Sequence, residues 1–234
     1  KRIVIWCGSA PNQRALVNKI HKQFGVDGIV IDKKKVSRKK KHKQGFFYKL
    51  LNRVRFGKID LAWSKLQQHY QQHYTNWPNV PILEVDTINS NEANEFTRTI
   101  SPDLIVVSGT GLIKQAFLNL PVSIGIINLH TGLSPYVKGG PNCTNWCIAN
   151  NDWHLIGNTI MWINAGIDTG NIITSETVDI TKCNTLFSAH LNVMERAHEL
   201  YLKAIKYVLY NQPPYISIPQ KDIGDGNLFL SNMW

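Results

Sequence analysis

The chain has 234 residues, 43% of them apolar, and its 26 Lys and Arg outnumber 16 Asp and Glu to give a net charge of +10. That length suits one α/β domain with a small appendage, and no stretch reaches the ~18 uninterrupted apolar residues that a membrane span needs. The apolar run after Lys1-Arg2 is too short for the core of a secretory signal. A reducing, cytoplasmic setting is therefore expected for Cys7, Cys143, Cys147 and Cys183.

Arg2 to Cys7 is a short apolar run closed by Gly8-Ser9 and reads as a buried parallel strand. Pro11 opens a helix with Leu16, Val17, Ile20 and Phe24 on one face and Gly25 as its stop. Gly28 to Ile31 is a second strand, which completes a strand–helix–strand unit. Lys33 to Lys43 form a basic run. A solvated loop is the simpler reading of it and polyanion binding the sharper one; no aromatics interleave the lysines to stack on bases. Phe46 to Tyr74 is helical in pattern, with Gly57 as a place where it could break. Pro81 to Val85 is a third strand, Asn89 to Ile100 a short helix and Leu104 to Val107 a fourth strand. Gly109-Thr110-Gly111 turns the chain, and Ile124 to Leu129 is a fifth strand.

Pro135 to Pro141 reads as a Gly- and Pro-rich loop, and Asn142 to Asn150 could be helical. Leu155 to Ile163 and Asn171 to Val178 are strands flanking a turn. From Asn184 to Tyr210, Phe187, Leu191, Met194, Ala197, Tyr201, Ala204 and Val208 recur at helical spacing and form a core face. Pro213-Pro214 ends that helix. Gly224-Asp225-Gly226-Asn227, between two short apolar runs, predicts a terminal β-hairpin. The expected fold is α/β, a Rossmann-like, mainly parallel sheet with helices on both faces. A catalytic-size domain over 1–212 is followed by a hairpin or tail over 213–234.

Open parallel sheets place their sites at the carboxyl ends of the strands. Three segments meet that condition: Ser108 to Ile113, Asn128-Leu129-His130, and Gly166-Ile167-Asp168-Thr169-Gly170. Asn128 and His130 are two apart, so on a strand they share a face. An amide donor, an imidazole and a carboxylate together can stabilise an oxyanion and move protons in acyl transfer. Taken singly, a histidine at a strand end is commonly structural, and an Asp among glycines commonly shapes a turn. Gly109-x-Gly111 lacks the third glycine of a dinucleotide fingerprint, and there is no P-loop. His69 and His73 lack the Glu of a zinc-protease helix, and the C-x3-C of Cys143 and Cys147 has no second pair, so no metal is expected.

The order of motifs is more specific than any one of them. Asn128-Leu129-His130-Thr131-Gly132-Leu133-Ser134-Pro135-Tyr136-Val137-Lys138-Gly139 comes first. Gly157-Asn158-Thr159-Ile160 and Ile167-Asp168-Thr169-Gly170-Asn171-Ile172-Ile173 follow. The series resembles the formyltransferase family, most sharply from Pro102 to Val178. That family includes glycinamide ribonucleotide transformylase, methionyl-tRNA formyltransferase and the sugar N-formyltransferases. The resemblance implies N10-formyltetrahydrofolate as co-substrate and direct attack by a primary amine, with no covalent enzyme intermediate.

It implies that Asn128 binds the formyl oxygen and that His130 helps hold the developing oxyanion. Asp168 would set the state of His130 and relay the proton lost by the amine. Backbone groups of Ser108, Gly109, Thr110, Gly111, Leu112 and Ile113 would hold the pterin, with those of Asn164, Ala165, Gly166 and Ile167. Tyr136, Lys138, Gly139 and Trp146 would contact the acceptor. Gly132 and Ser134 depart from the Ser and Leu of many members. Lys138 stands where Arg is common, a point charge in place of a fork.

Most of the chain after the last core strand is one helix, which speaks against a tRNA-gripping domain, and no regulatory domain of the hydrolase kind precedes the first strand. Asn142 to Trp146 and the tail resemble the sugar enzymes, so a nucleotide-linked amino sugar is the expected acceptor. The alternatives are glycinamide ribonucleotide, or a non-catalytic RNA- or anion-binding role for Lys33 to Lys43. The tail aromatics Phe229 and Trp234 could stack on a nucleotide base or pack a homodimer, simple packing being the plainer use.

Overall fold

A computed structural model describes residues 1–33, 46–140, 143–230 and 233, with side chains from residue 57 onward in the helix that starts at Phe46. Lys34 to Lys43, Asn142 and Trp234 lie outside the described residues. In chain order the elements are β1 (Ile3–Gly8), α1 (Pro11–Phe24), β2 (Gly28–Asp32), α2 (Phe46–His73), β3 (Ile82–Val85), α3 (Asn91–Ile100), β4 (Leu104–Ser108), α4 (Gln115–Leu118) and β5 (Gly125–His130). There follow β6 (Val137–Gly140), α5 (Cys143–Ala149), β7 (Gly157–Trp162), β8 (Ile172–Thr177), α6 (Leu186–Tyr210) and β9 (Asn227–Leu230).

Seven strands form one sheet in the order β3-β2-β1-β4-β5-β7-β8. The pairs from β3 to β5 are parallel, whereas β7 and β8 add antiparallel. The chain enters β7 beside the His130 end of β5, with His130 opposite Thr159, and so runs back down the sheet. The switch at β1, from which β2 lies on one side and β4 on the other, puts ligand sites at this carboxyl edge.

β1, β2 and β4 are buried along their whole length, as expected where helices cover both faces of a parallel sheet. Ile3 and Ile5 point to one layer with Leu16 and Ile20 of α1 and Ala197, Tyr201 and Val208 of α6. Val4 and Trp6 point to the other, with Ala93 of α3, Ile105, Val107 and Ile113. This is strand alternation sorting one apolar run into two cores.

α2 passes Gly57 without a break. Its Leu66 and Tyr70 pack on Ala15 and Met194. A partly buried polar cluster pins it there. Tyr70 Oη donates to Glu195 Oε1 at 2.8 Å, and Lys19 Nζ reaches both Glu195 oxygens at 2.8 Å. Lys19 Nζ also lies 3.2 Å from His198 Nδ1. Burial, then the Lys19 charge, pulls the His198 pKa down to about 3. The ring is therefore neutral, with Nδ1 the acceptor.

The expected terminal hairpin does not form among the described residues. β9 pairs in parallel with β6 in a separate two-stranded sheet, Val137 opposite Asn227 and Gly140 opposite Leu230. The earlier apolar run of the tail goes elsewhere, and Ile218 exchanges two 2.8 Å backbone hydrogen bonds with Ile172 at the start of β8. The two halves of the supposed hairpin thus satisfy backbone groups of two segments of the domain instead of each other's. Among the described residues, no helix is long and apolar enough to cross a membrane.

Candidate active site

β5 delivers Asn128 and His130 to the carboxyl edge, and the turn between β7 and β8 brings Asp168 to both. His130 Nδ1 is 3.3 Å from Asp168 Oδ2, and Asn128 Nδ2 is 3.5 Å from Oδ1. Oδ2 also accepts the backbone N–H of Gly139 at 2.9 Å, so the carboxylate ties β5 to β6. His130 is 6% exposed, and its Nε2 lies 2.9 Å from the carbonyl oxygen of Val137. Both ring nitrogens therefore face acceptors.

Asp168 is one of three non-glycine residues with positive φ among those described, at +50°. That conformation costs ~1–3 kcal/mol and persists only where its surroundings hold it. Asn164 Oδ1 accepts from Gly166 N at 3.1 Å and Thr169 Oγ1 at 2.8 Å, bracing the turn from within. Trp162 N to Asn171 O, 3.0 Å, closes its base. From outside, Gln220 Nε2 donates to the carbonyls of Asp168 and Gly170, both at 2.8 Å.

The loop after His130 folds back over the ring. A Cβ on Gly132 would collide with His130 Nε2, which gives this departure from the common family pattern a steric reason. Thr159 Oγ1 accepts from Ser134 N at 2.9 Å and donates to Gly132 O at 2.8 Å, which explains the downstream Gly-Asn-Thr motif. Cys143 Sγ is 4.0 Å from His130 Nε2 and 3.5 Å from Gly139 O. Burial and the nearby Asp168 charge push its thiol up to about 12, so it is a packed thiol and not a nucleophile.

The expected pterin segments flank this centre. Ser108 and Ile113 are buried anchors. Gly111 N donates to Asp32 Oδ2 at 3.0 Å, and Asn89 bonds Leu112 O and Lys114 N at 2.8 and 2.7 Å. Between those fixings Leu112 is 56% exposed, and on the second segment Ile167 is 38% exposed. Tyr136 gives its carbonyl to Asn227 N at 2.9 Å, Lys138 lies half-buried on β6, and Trp146 stacks on Phe229 with ring centres 4.8 Å apart. Of the residues expected from sequence, Asn128, His130, Gly139 and Asp168 meet directly, whereas Trp146 is engaged by the tail. Asp32, Asn89 and Gln220 were not singled out, and Thr159 entered only as part of the Gly-Asn-Thr motif. Of the three not singled out, only Asp32, an acid closing an apolar strand, carries a local signal.

The start of α1 offers no spare donor to an anion. Pro11 has no N–H, Asn12 N goes to Gln67 Oε1 at 3.3 Å, and Gln13 and Arg14 N go to Ala10 O at 3.0 and 3.2 Å.

The formyl transferase family model matches residues 1–205, and the chain belongs to that family. A methionyl-tRNA formyltransferase of Clostridium perfringens (strain SM101) is 33% identical over 136 residues, which are 57% of this chain and 43% of that relative. The chain thus spans less than half the length of the curated relatives it matches. Among solved structures, phosphoribosylglycinamide formyltransferase of Bacillus halodurans superposes with a TM-score of 0.62 at 21% identity, over 92% of this chain and 100% of that one. An N-formyltransferase of Helicobacter canadensis, in complex with folinic acid and dTDP-3-aminofucose, gives 0.60 at 19% identity over 98% and 71%. At these identities the likeness is one of fold.

Proposed function

We propose that the chain transfers a formyl group from N10-formyltetrahydrofolate to the primary amine of a nucleotide-linked amino sugar. The observation that carries formyl transfer is the convergence of Asn128, His130 and the Gly139 N–H on one carboxylate. In this reading the Asn128 amide donates to the formyl oxygen as the amine attacks, and His130 adds a second donor there by turning Nε2 from the Val137 carbonyl as substrate binds. Asp168 Oδ2 is already bound twice. Oδ1, which has the long 3.5 Å contact with Asn128, is the oxygen that takes the amine's proton and returns one to the departing N10 as the donor's C–N bond breaks. Exposed Leu112 and Ile167, one on each flanking segment, suit the flat pterin of the donor.

The sugar nucleotide is supported by the H. canadensis neighbour, whose likeness runs over 98% of this chain, tail included. Lys138 would supply charge for the diphosphate. Glycinamide ribonucleotide is the second reading, supported by full coverage of the B. halodurans enzyme. Methionyl-tRNA is supported by the 33% identity of the catalytic stretch. Folate chemistry and four free thiols suit a cytoplasmic protein. A homodimer is the expected form, to be checked by sedimentation.

The test is a thermal-shift and turnover panel with a formyl-folate and thymidine, uridine or guanosine diphosphate amino sugars, glycinamide ribonucleotide or methionyl-tRNA. Stabilisation by folate, with formyl loss dependent on one nucleotide sugar, is the expected result. Dependence on another amine replaces the acceptor. No response to any folate removes the reading and turns attention to the Lys33 to Lys43 stretch.

A further inference from the structure

The family match stops at residue 205, yet the backbone of the catalytic turn is gripped from beyond it. Ile218 pairs antiparallel with Ile172. Two residues further along that register Gln220 comes opposite Gly170, where main-chain pairing would otherwise continue. The side chain takes over. Gln220 is 8% exposed, and its Nε2 donates at 2.8 Å to the carbonyls on both sides of Thr169, those of Asp168 and Gly170. An amide nitrogen has two protons, and here each has a carbonyl. Met161 Sδ, 3.8 Å away, fills the third side. Gln220 is itself fixed, because the carbonyl of Gln220 accepts from Ile223 and Gly224 N at 3.0 and 3.2 Å.

We infer that Gln220 is a positioning residue for formyl transfer, holding Asp168 in its left-handed conformation so that the carboxylate faces Asn128 and His130. The inference rests on the proposed formyl-transfer reading for its kinetic consequence but on geometry alone for its conformational one. Asp168 has positive φ without being glycine, and such a residue relaxes when its carbonyl is released. Relaxation swings the carboxylate away from the two β5 side chains. Gln220 bonds the carbonyls of Asp168 and Gly170, and the proposed pterin segment Asn164 to Ile167 lies on the same turn, so loss of the latch should loosen donor binding as well as misplace the carboxylate.

The test uses the full chain carrying Gln220→Met, which keeps side-chain length and the apolar fit to Met161 and removes both donors. It is compared with wild type, with Asp168→Asn and with the double variant. Misplacing a catalytic group by about 1 Å costs ~10–100-fold in rate, so kcat should fall by that factor, with a rise in the KM for formyl-folate because Asn164 to Ile167 share the loosened turn. The double variant should be no slower than Asp168→Asn alone, because the latch acts through Asp168. Amide exchange over 163–171 should speed up selectively. Unchanged kcat and unchanged exchange overturn the inference, as does a loss that multiplies fully with that of Asp168→Asn. If Gln220→Met does not fold, Gln220→Ser, which leaves room for a bridging water, takes its place under the same criteria. If wild type formylates nothing, the faster exchange still decides the latch, and the proposed reaction fails separately.

Discussion

The hydroxyl of Tyr201 and the peptide of Val107 are bonded in both directions: Val107 N donates to Tyr201 Oη at 3.0 Å, and Oη lies 2.9 Å from Val107 O. Oη is also 2.8 Å from Ile127 O, so one hydroxyl from α6 bridges β4 and β5 a residue short of Asn128. Burial pushes its ionisation well above the ordinary tyrosine range, so it acts as a neutral donor and acceptor.

Tyr201→Phe should therefore fold but lose ~1–3 kcal/mol, the cost of leaving a buried backbone N–H without its acceptor. Urea unfolding measures it. A change below about 0.5 kcal/mol, with unaltered formyl transfer, would show that water or a strand shift replaces the hydroxyl.

Asp168→Ala should lower kcat by ~10²–10⁴-fold, the usual size of a lost acid–base group. Its thermal midpoint should also fall, because the Gly139 N–H and the His130 ring lose their acceptor and Ala is less at ease than Asp at a φ of +50°. Turnover near that of wild type would take Asp168 out of the chemistry.

Gly139→Ala should be destabilising by more than about 1 kcal/mol, since φ there is +84° and a Cβ would strike the Phe229 carbonyl on β9. Activity should fall with it, because the same residue's N–H holds Asp168 Oδ2. Chemical denaturation and turnover measured on the one variant separate the two effects; full activity in a destabilised protein would uncouple β6 from the carboxylate.

Stability should fall as the pH drops from about 6.5. Burial lowers the pKa of His190 to about 4, and burial with Lys19 lowers that of His198 to about 3. Free histidine titrates near 6.5, so between these limits the unfolded chain binds protons that the folded chain refuses, and stability rises with pH. Each histidine contributes up to ~1.4 kcal/mol per pH unit in that window. Glu195 adds to the effect at lower pH. Burial pushes its pKa up, but bonds from Lys19 and Tyr70 outweigh that, and its stabilisation is lost as pH falls below the free value of about 4.3. Unfolding free energies at pH 7.5, 6.5 and 5.5 give the slope; a flat profile would mean that both rings gain a proton when folded, and half the slope that one does.

The sheet was legible because its central strands are buried on both faces and stand out as apolar runs. The direction of β7 and β8 was not, since a strand has the same side-chain period whichever way it points. β6 was hidden for another reason. Val137 and Gly139 work through a carbonyl and an N–H, and Val-Lys-Gly-Gly has no alternation to announce it. The tail misled because Gly224 to Asn227 makes a turn signal, while partner choice depends on which segments of the domain lack pairing. Asn128, His130 and Asp168 were legible through the order of their motifs. Gln220 was not, for a lone glutamine after a proline carries no pattern at all.

The parallel seam between β6 and β9 has a consequence for the order in which the molecule becomes competent. On the ribosome all seven strands of the main sheet have been made once residue 177 is polymerised, but the partner of β6 spans Asn227–Leu230. Once α6 has followed, by residue 210, a nascent chain owns its hydrophobic core while the backbone that presents Val137 O and Gly139 N–H still waits for its neighbour. A premature stop near Asn211 would leave a protein that buries its sheet yet never assembles the cradle of Asp168.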